Sequence, residues 1–150
     1  MLVRKAEPAD LKPLNDLMRA SKGYWGYDSA FMDGFMSLYS LTELEITSGQ
    51  TFVAALGCNT IGFYYFAYEE NADLVLDKFF LHPNYIARGN GKLLWKHCVN
   101  TATHYGAKEF TLWSDPNTEG FYLKMGCVKI GERKSPMPPD RYPPIMKYSI

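Results

Sequence analysis

"DLVLDKFFLHPNYIARGNGKLLW", residues 73–95, carries the decision about the fold. Its first part, "DLVLDKFFLH", is an apolar run with Val75 and two phenylalanines and reads as a strand. "PNYIARGNG" breaks that run, and a helix of roughly four turns follows, with Leu94, Cys98, Thr101 and Tyr105 on one face and Gly106 after it. A strand that runs through a glycine turn into a helix presents unpaired backbone amides at the helix N-terminus, where the helix dipole also favours negative charge. Gly89 and Gly91 would let those amides approach a pyrophosphate with no Cβ in the way, and Arg88 and Lys92 could add charge-assisted contacts. The same residues also suit an ordinary strand-to-helix turn with two solvated cations. The segment is not a P-loop, since no Gly-Lys-Ser/Thr follows four residues after a glycine, and the third glycine of a dinucleotide fingerprint is missing.

Upstream, "TFVAAL" and "IGFYYFAYEE" are strand runs joined by "GCNT", a hairpin signal, so the strand at 73–82 is the third in succession. "LVRKA" reads as a first strand, and "PADLKPLNDLMRASKG" as a helix with Leu11, Leu14, Leu17 and Met18 on one face and Gly23 beyond its end. "DSAFMDGFMSLYS" places Phe31, Phe35 and Leu38 at helical spacing, and "TELE" has the form of a capping box. Downstream come a strand, "KEFTLWS", a short helix, "TEGFYLKM", stopped by Gly126, and a strand, "CVKIGER". The last strand, "PPIMKYSI", is entered through prolines, which suits a sheet edge. A helix linking the fourth strand to the fifth requires a crossover, hence a parallel pair inside a mostly antiparallel sheet. The fold class is α/β, an α+β mixed sheet flanked by helices.

Composition narrows the function. The 150 residues are 47% apolar and 21% charged, as expected for one folded domain spanning 1–150. "IGFYYFAY" is too short to span a bilayer, and "MLVRKAEPADL" lacks the features of a secretory signal, so a cytoplasmic location is expected. Cys58, Cys98 and Cys127 are odd in number and far apart, indicating neither a disulfide framework nor a zinc site. Sixteen Lys plus Arg balance sixteen Asp plus Glu, so no broad field attracts nucleic acid or an anionic membrane. An anion site must be local.

"SDPNTEGFYLKMGC", residues 114–127, taken with "HPNYIARGNGKLLW", resembles the GNAT superfamily of acetyl-coenzyme A dependent N-acetyltransferases. In that family a Q/R-x-x-G-x-G/A loop grips the pyrophosphate, and a later N-x-x-A-x-x-F-Y-x-x-x-G-F segment carries a helix beside the thiol end of the cofactor. Ile86, Ala87, Arg88, Gly89, Asn90 and Gly91 occupy the first pattern, with Ile86 where Gln or Arg is usual. Asp115, Thr118, Phe121, Tyr122, Gly126 and Cys127 occupy the second, with Asp115 and Thr118 in place of Asn and Ala. The resemblance implies a GNAT-like fold whose fourth and fifth strands splay apart and admit the pantetheine arm, which pairs with fourth-strand backbone at Phe79 and Leu81. It implies acetyl-CoA as cosubstrate and no metal, and Lys92 and Asn117 join the cofactor-binding set.

Acetyl transfer to an amine needs the amine neutral, and for an alkylamine of pKa near 10.4 deprotonation at pH 7 costs about 4.6 kcal/mol. It also needs the thioester carbonyl polarised and a proton for the departing thiolate. Tyr122 matches the family tyrosine that protonates the sulfur, although a core aromatic beside Phe121 and Met125 would look the same in sequence. The Leu81 amide is a candidate oxyanion donor. Asp77 is the candidate base, with a salt bridge to Lys78 as its structural alternative and water-relayed deprotonation as the chemical one. His82 reads as a strand-end cap before Pro83, Cys127 as a small packing residue, and His97 and His104 lack a third ligand at a plausible spacing.

On the acceptor side, Tyr24, Trp25 and Tyr27 could line a pocket for an apolar or aromatic amine, stack on a cation, or simply pack the first helix on the sheet. Arg133, Lys134 and Arg141 could meet an acceptor carboxylate or be solvated. Without a broad acidic surface, a small-molecule amine is preferred to a basic peptide as partner. Peptide or protein N-acetylation, and a non-catalytic acyl-CoA binding or sensing module, are the alternatives. Oligomeric state is not legible, and the aromatic-rich strands would serve a homodimer.

Overall fold

Strand β4 (Leu74–Leu81) realises its pattern directly. Leu74, Leu76 and Lys78 are buried on one face, while Val75, Asp77, Phe79 and Leu81 occupy the other and are half-buried or exposed, the two-residue period of a strand. The remaining strands are β1 (Leu2–Lys5), β2 (Thr51–Leu56), β3 (Asn59–Tyr68), β5 (Glu109–Trp113), β6 (Val128–Glu132) and β7 (Pro144–Ser149). The helices are α1 (Leu11–Gly23), α2 (Ser29–Tyr39), α3 (Glu43–Thr47), α4 (Asn90–His104) and α5 (Glu119–Lys124). The computed structural model describes residues 1–150 and joins the strands in one sheet of order β1-β2-β3-β4-β5-β7-β6. Pairs β1–β2, β2–β3, β5–β7 and β6–β7 are antiparallel. The β4–β5 pair is parallel, in register at Val75↔Thr111.

Contacts divide the chain into two units, residues 1–65 with 78–94 and residues 66–77 with 95–150. In the first, Leu14, Leu17 and Met18 of α1 and Phe31, Met32 and Phe35 of α2 are buried at helical spacing. Asp28 caps α2 by accepting from the Phe31 amide at 2.8 Å. Thr42 and Glu45 form the capping box read from "TELE". Glu45 also receives Lys78 Nζ at 2.9 Å, and the lysine side chain is only 6% exposed. In the second unit, Trp95 of α4 meets Phe110, Tyr122 and Tyr148 at ring separations of 5.6, 5.7 and 5.4 Å.

Gly62 of β3 is held by packing. A Cβ there would lie 2.7 Å from the Phe80 carbonyl oxygen and 2.8 Å from Leu81 Cδ2. Backbone cannot yield as a flexible side chain can, so Gly62→Ala is expected to destabilise the protein by about 2 kcal/mol. Urea unfolding at constant m-value measures it, and an unchanged midpoint would refute the close packing.

Four expectations are corrected. Strand β7 lies between β5 and β6, so it is interior, not an edge. Pro144 is its first residue, where a missing N–H is tolerated, and its carbonyl accepts from the Ser114 amide at 2.9 Å. The edge is β6, blunted by a register irregularity between Lys129 and Gly131 and by a Lys129–Glu132 ion pair of 2.8 Å. Leu38 is exposed, with Met32 taking the buried place on α2. On α4 the buried stripe runs through Gly91, Leu94, Trp95, Cys98 and Ala102, leaving Thr101 and Tyr105 half-buried. Gly23 is the last residue of α1, and the left-handed glycine after it is Gly26 at φ +88.

Candidate active site

His82 ends β4 as the cap of a 3-10 turn over Pro83–Tyr85, its Nδ1 accepting from the Asn84 amide at 3.2 Å. This is the strand-end role expected of it. Ile86 is then extended at φ −70 and ψ 146, Ala87 turns left-handed at φ +60, and Gly89 does so again at φ +84. Two left-handed residues within three curl the chain so that successive amides can face one side, a geometry suited to anions. The Leu93 amide donates to the Gly89 carbonyl at 3.3 Å, so Asn90, Gly91 and Lys92 have amides at the start of α4 with no carbonyl one turn earlier. Ala87, Arg88, Gly89 and Lys92 are exposed, and the Asn90 side chain ties the curl by donating to the Tyr85 carbonyl at 3.3 Å. The two glycines prove unequal: Gly89 makes the turn, while Gly91 is a buried residue inside α4. Ala87 is the residue whose backbone role sequence could not reveal, because alanine carries no signal for positive φ.

Asp77 lies exposed on the β4 face shared with Val75, Phe79 and Leu81. Lys78, the structural alternative partner of Asp77, has a partner of its own. Neighbouring strand residues point to opposite faces, and Lys78 meets Glu45, with its Nζ also 5.3 Å from the Tyr65 ring centroid.

At α5, Asp115 Oδ1 accepts from the Asn117 amide at 2.7 Å and from Asn117 Nδ2 at 2.8 Å, so the predicted cofactor residue Asn117 has its side chain turned to Asp115. Tyr122 is 7% exposed, with its ring edge-on to Trp95 and Phe121. Burial, and secondarily Cys98, Cys127 and Asp115, hold its phenol well above the ordinary tyrosine range, so it stays protonated. Cys98 and Cys127 are buried and their thiols are likewise pushed up by burial, Cys127 to about 12. Both are packing thiols rather than nucleophiles.

These three ionisations carry a prediction. In the unfolded chain the groups ionise near 9.0 and 10.0, while the folded protein keeps them protonated. The sign is fixed: stability is complete below the ordinary values and is lost as pH rises from about 9 toward the folded ones, by about 1.4 kcal/mol per group per pH unit. Urea midpoints should therefore fall between about pH 8 and 10.5, and a flat profile would show that the groups titrate alike in both states.

The three aromatic residues after α1 separate. Tyr24 is exposed and edge-on to Trp25 at 4.9 Å, whereas Tyr27 stacks on Phe31 at 4.2 Å. The cation held there is the protein's own. Lys22, 8% exposed, places Nζ 5.1 Å from the Tyr27 ring centroid and 4.9 Å from that of Phe35. Sequence reading missed Lys22, although its i+4 spacing from Met18 put it on the buried face. The three cations expected near the acceptor also have local partners. Arg133 stacks over Trp113 at 4.1 Å, Lys134 meets Asp140 at 3.5 Å, and Arg141 meets Asp115 at 3.5 Å. His97 is half-buried and titrates below the ordinary histidine range because of burial, His104 is exposed, and no group of three or more His, Cys, Asp or Glu is placed to hold a metal.

A cleft of about 570 Å³ is lined by Glu69, Glu70, Asp73, Val75, Glu109 and Thr111 among others. Four carboxylates on its walls oppose a phosphorylated ligand, and no predicted site residue lines it.

The acetyltransferase (GNAT) domain family matches residues 18–136. The fold is similar to that of a GCN5-related N-acetyltransferase from Rhodopseudomonas palustris, at 22% identity and TM-score 0.81 over 99% of this chain and 95% of that one. It is also similar to the PaiA N-acetyltransferase of Thermoplasma acidophilum solved in complex with coenzyme A, at 20% identity and TM-score 0.76 over 99% and 98%. A third similar structure is the ribosomal-protein-S18-alanine N-acetyltransferase of Escherichia coli, at 17% identity and TM-score 0.71 over 99% and 93%. No curated protein matches the sequence significantly. Because the domain match takes in both the 86–92 loop and α5, the chain belongs to the GNAT family and is an acetyl-CoA-dependent acyltransferase.

Proposed function

We propose that the protein moves the acetyl group of acetyl-CoA to the primary amine of a small molecule, by direct attack in a ternary complex. The observation that carries the reading is the curl at 86–92: Ala87 and Gly89 at positive φ, the first amides of α4 beside them, and exposed Arg88 and Lys92. Those features fit a pyrophosphate, which takes several amide donors and charge-assisted contacts. Main chain of β4 at Phe79 and Leu81 would hold the pantetheine arm as an added strand. Acetyl-CoA supplies the acetyl group as an activated thioester, and the remaining work falls to side chains and amides of this chain. The Leu81 amide would polarise the carbonyl, Tyr122 would donate its proton at the departing sulfur, and Asp77 would accept a proton from the amine. Charge balance supports a small acceptor, since a net charge of zero gives no overall attraction for basic peptides. Tyr24, Trp25 and Tyr27 remain the proposed acceptor contacts.

One observation favours a second reading. The similar E. coli enzyme is named for acetylating an alanine of a ribosomal protein, which points to a peptide N-terminus. Thiol release from acetyl-CoA, measured across polyamines, amino acids, arylalkylamines and peptides, separates the two. Turnover with small amines above that with peptides is expected; the reverse order would replace the first acceptor class with the second. Binding of coenzyme A without turnover on any amine would make the protein an acyl-CoA sensor.

A further inference from the structure

Asp115 stands where the resembling family has asparagine, so this chain carries a charge at the start of α5 that must be balanced. Its side chain is 9% exposed. A carboxylate so far from water needs donors on both oxygens. Asn117 covers Oδ1 twice, and Arg141, itself 18% exposed, approaches Oδ2 at 3.5 Å. The carbonyl of the same residue accepts from Ser114 Oγ at 2.7 Å, the Thr118 amide at 2.9 Å and Thr118 Oγ1 at 3.1 Å. Residue 115 therefore organises the turn from which α5 grows. The Thr118 carbonyl next accepts from the amides of Phe121 at 3.0 Å and Tyr122 at 3.3 Å.

Arg141 belongs to the loop 133–143, which is closed on itself. The Ser135 amide donates to the Arg141 carbonyl at 2.7 Å, the Arg133 amide to the Pro143 carbonyl at 3.1 Å, and Met137 is buried. An unbroken path thus leads from this loop through Arg141 and Asp115 to the helix that carries Tyr122. We propose that Arg141 is a positioning residue for Tyr122: paired with Asp115, it fastens the 133–143 loop to the turn from which α5 grows and compensates the buried Asp115 carboxylate. The inference rests on the proposed role of Tyr122 in acetyl transfer. In support, Asp115 is the one carboxylate among the groups that act on the Tyr122 phenol, the others being Cys98 and Cys127.

The test uses Arg141→Gln, Asp115→Asn and the double variant in the full chain. Arg141→Gln strands a buried carboxylate and should lower kcat about tenfold while KM for acetyl-CoA stays within about twofold. The double variant removes the stranded charge as well, and should recover kcat to within about threefold of the parent. Arg141→Gln at parental kcat, or a double variant no faster than Arg141→Gln, would overturn the proposal. A parent that turns over no amine would instead overturn the functional reading. Amide hydrogen exchange at Phe121 and Tyr122 then decides the positioning by itself: faster in Arg141→Gln if the clamp orders α5, unchanged if it does not.

Discussion

Tyr122→Phe lowers kcat about 100-fold, the scale of one well-placed proton donor, and leaves the dissociation constant for acetyl-CoA unchanged. Two facts combine in this expectation. The position matches the resembling family's tyrosine, and its phenol is buried, which holds it well above the ordinary tyrosine range. A protonated phenol has an O–H to donate, which is what a leaving thiolate requires. The ring itself packs against Trp95 and Phe121, and phenylalanine preserves that packing, so a folding defect should not obscure the kinetic one. Steady-state kinetics with the best acceptor, beside a calorimetric dissociation constant, reads the split between chemistry and binding. Parental turnover in this variant would reduce Tyr122 to a core aromatic.

Gly89→Val raises the dissociation constant for acetyl-CoA about 50-fold, whereas Ile86→Ala changes it less than about threefold. The contrast comes from backbone. Gly89 sits at φ +84, a conformation that a β-branched residue adopts only under strain, and the left-handed turn is what aims the amides. No neighbour lies within 4 Å of the Cβ position at Gly89, so the penalty is conformational rather than steric. Ile86 is extended, half-buried and apolar, and has no group to offer a phosphate. Calorimetric titration of both variants is decisive, and a larger loss in Ile86→Ala would refute the backbone account of the loop.

The parts of the fold legible in sequence are those set by local pattern. The β4 alternation, the "TELE" capping box and the strand-turn-helix at 73–95 each follow from the spacing of a few residues, because side-chain period and cap hydrogen bonds act within one turn or one strand. The misplacement of β7 has the opposite origin. Prolines at a strand entrance cost little whether the strand is central or peripheral, so their presence in "PPIMKYSI" could not distinguish the two positions.

The candidate site divides in the same way. Gly89, Arg88 and Tyr122 were nameable from motif spacing, since chemistry there requires a residue type. Sequence alone therefore determined the family, the cofactor class and the loop proposed to bear it. Tertiary structure alone decided which groups meet: Lys78 with Glu45, Lys22 with the rings of Tyr27 and Phe35, Arg141 with Asp115. The ion-pair partners Lys78 and Glu45, and Arg141 and Asp115, lie far apart in the chain and are selected by burial, where a carboxylate or ammonium must find compensation wherever the packing brings it. No local pattern encodes that choice.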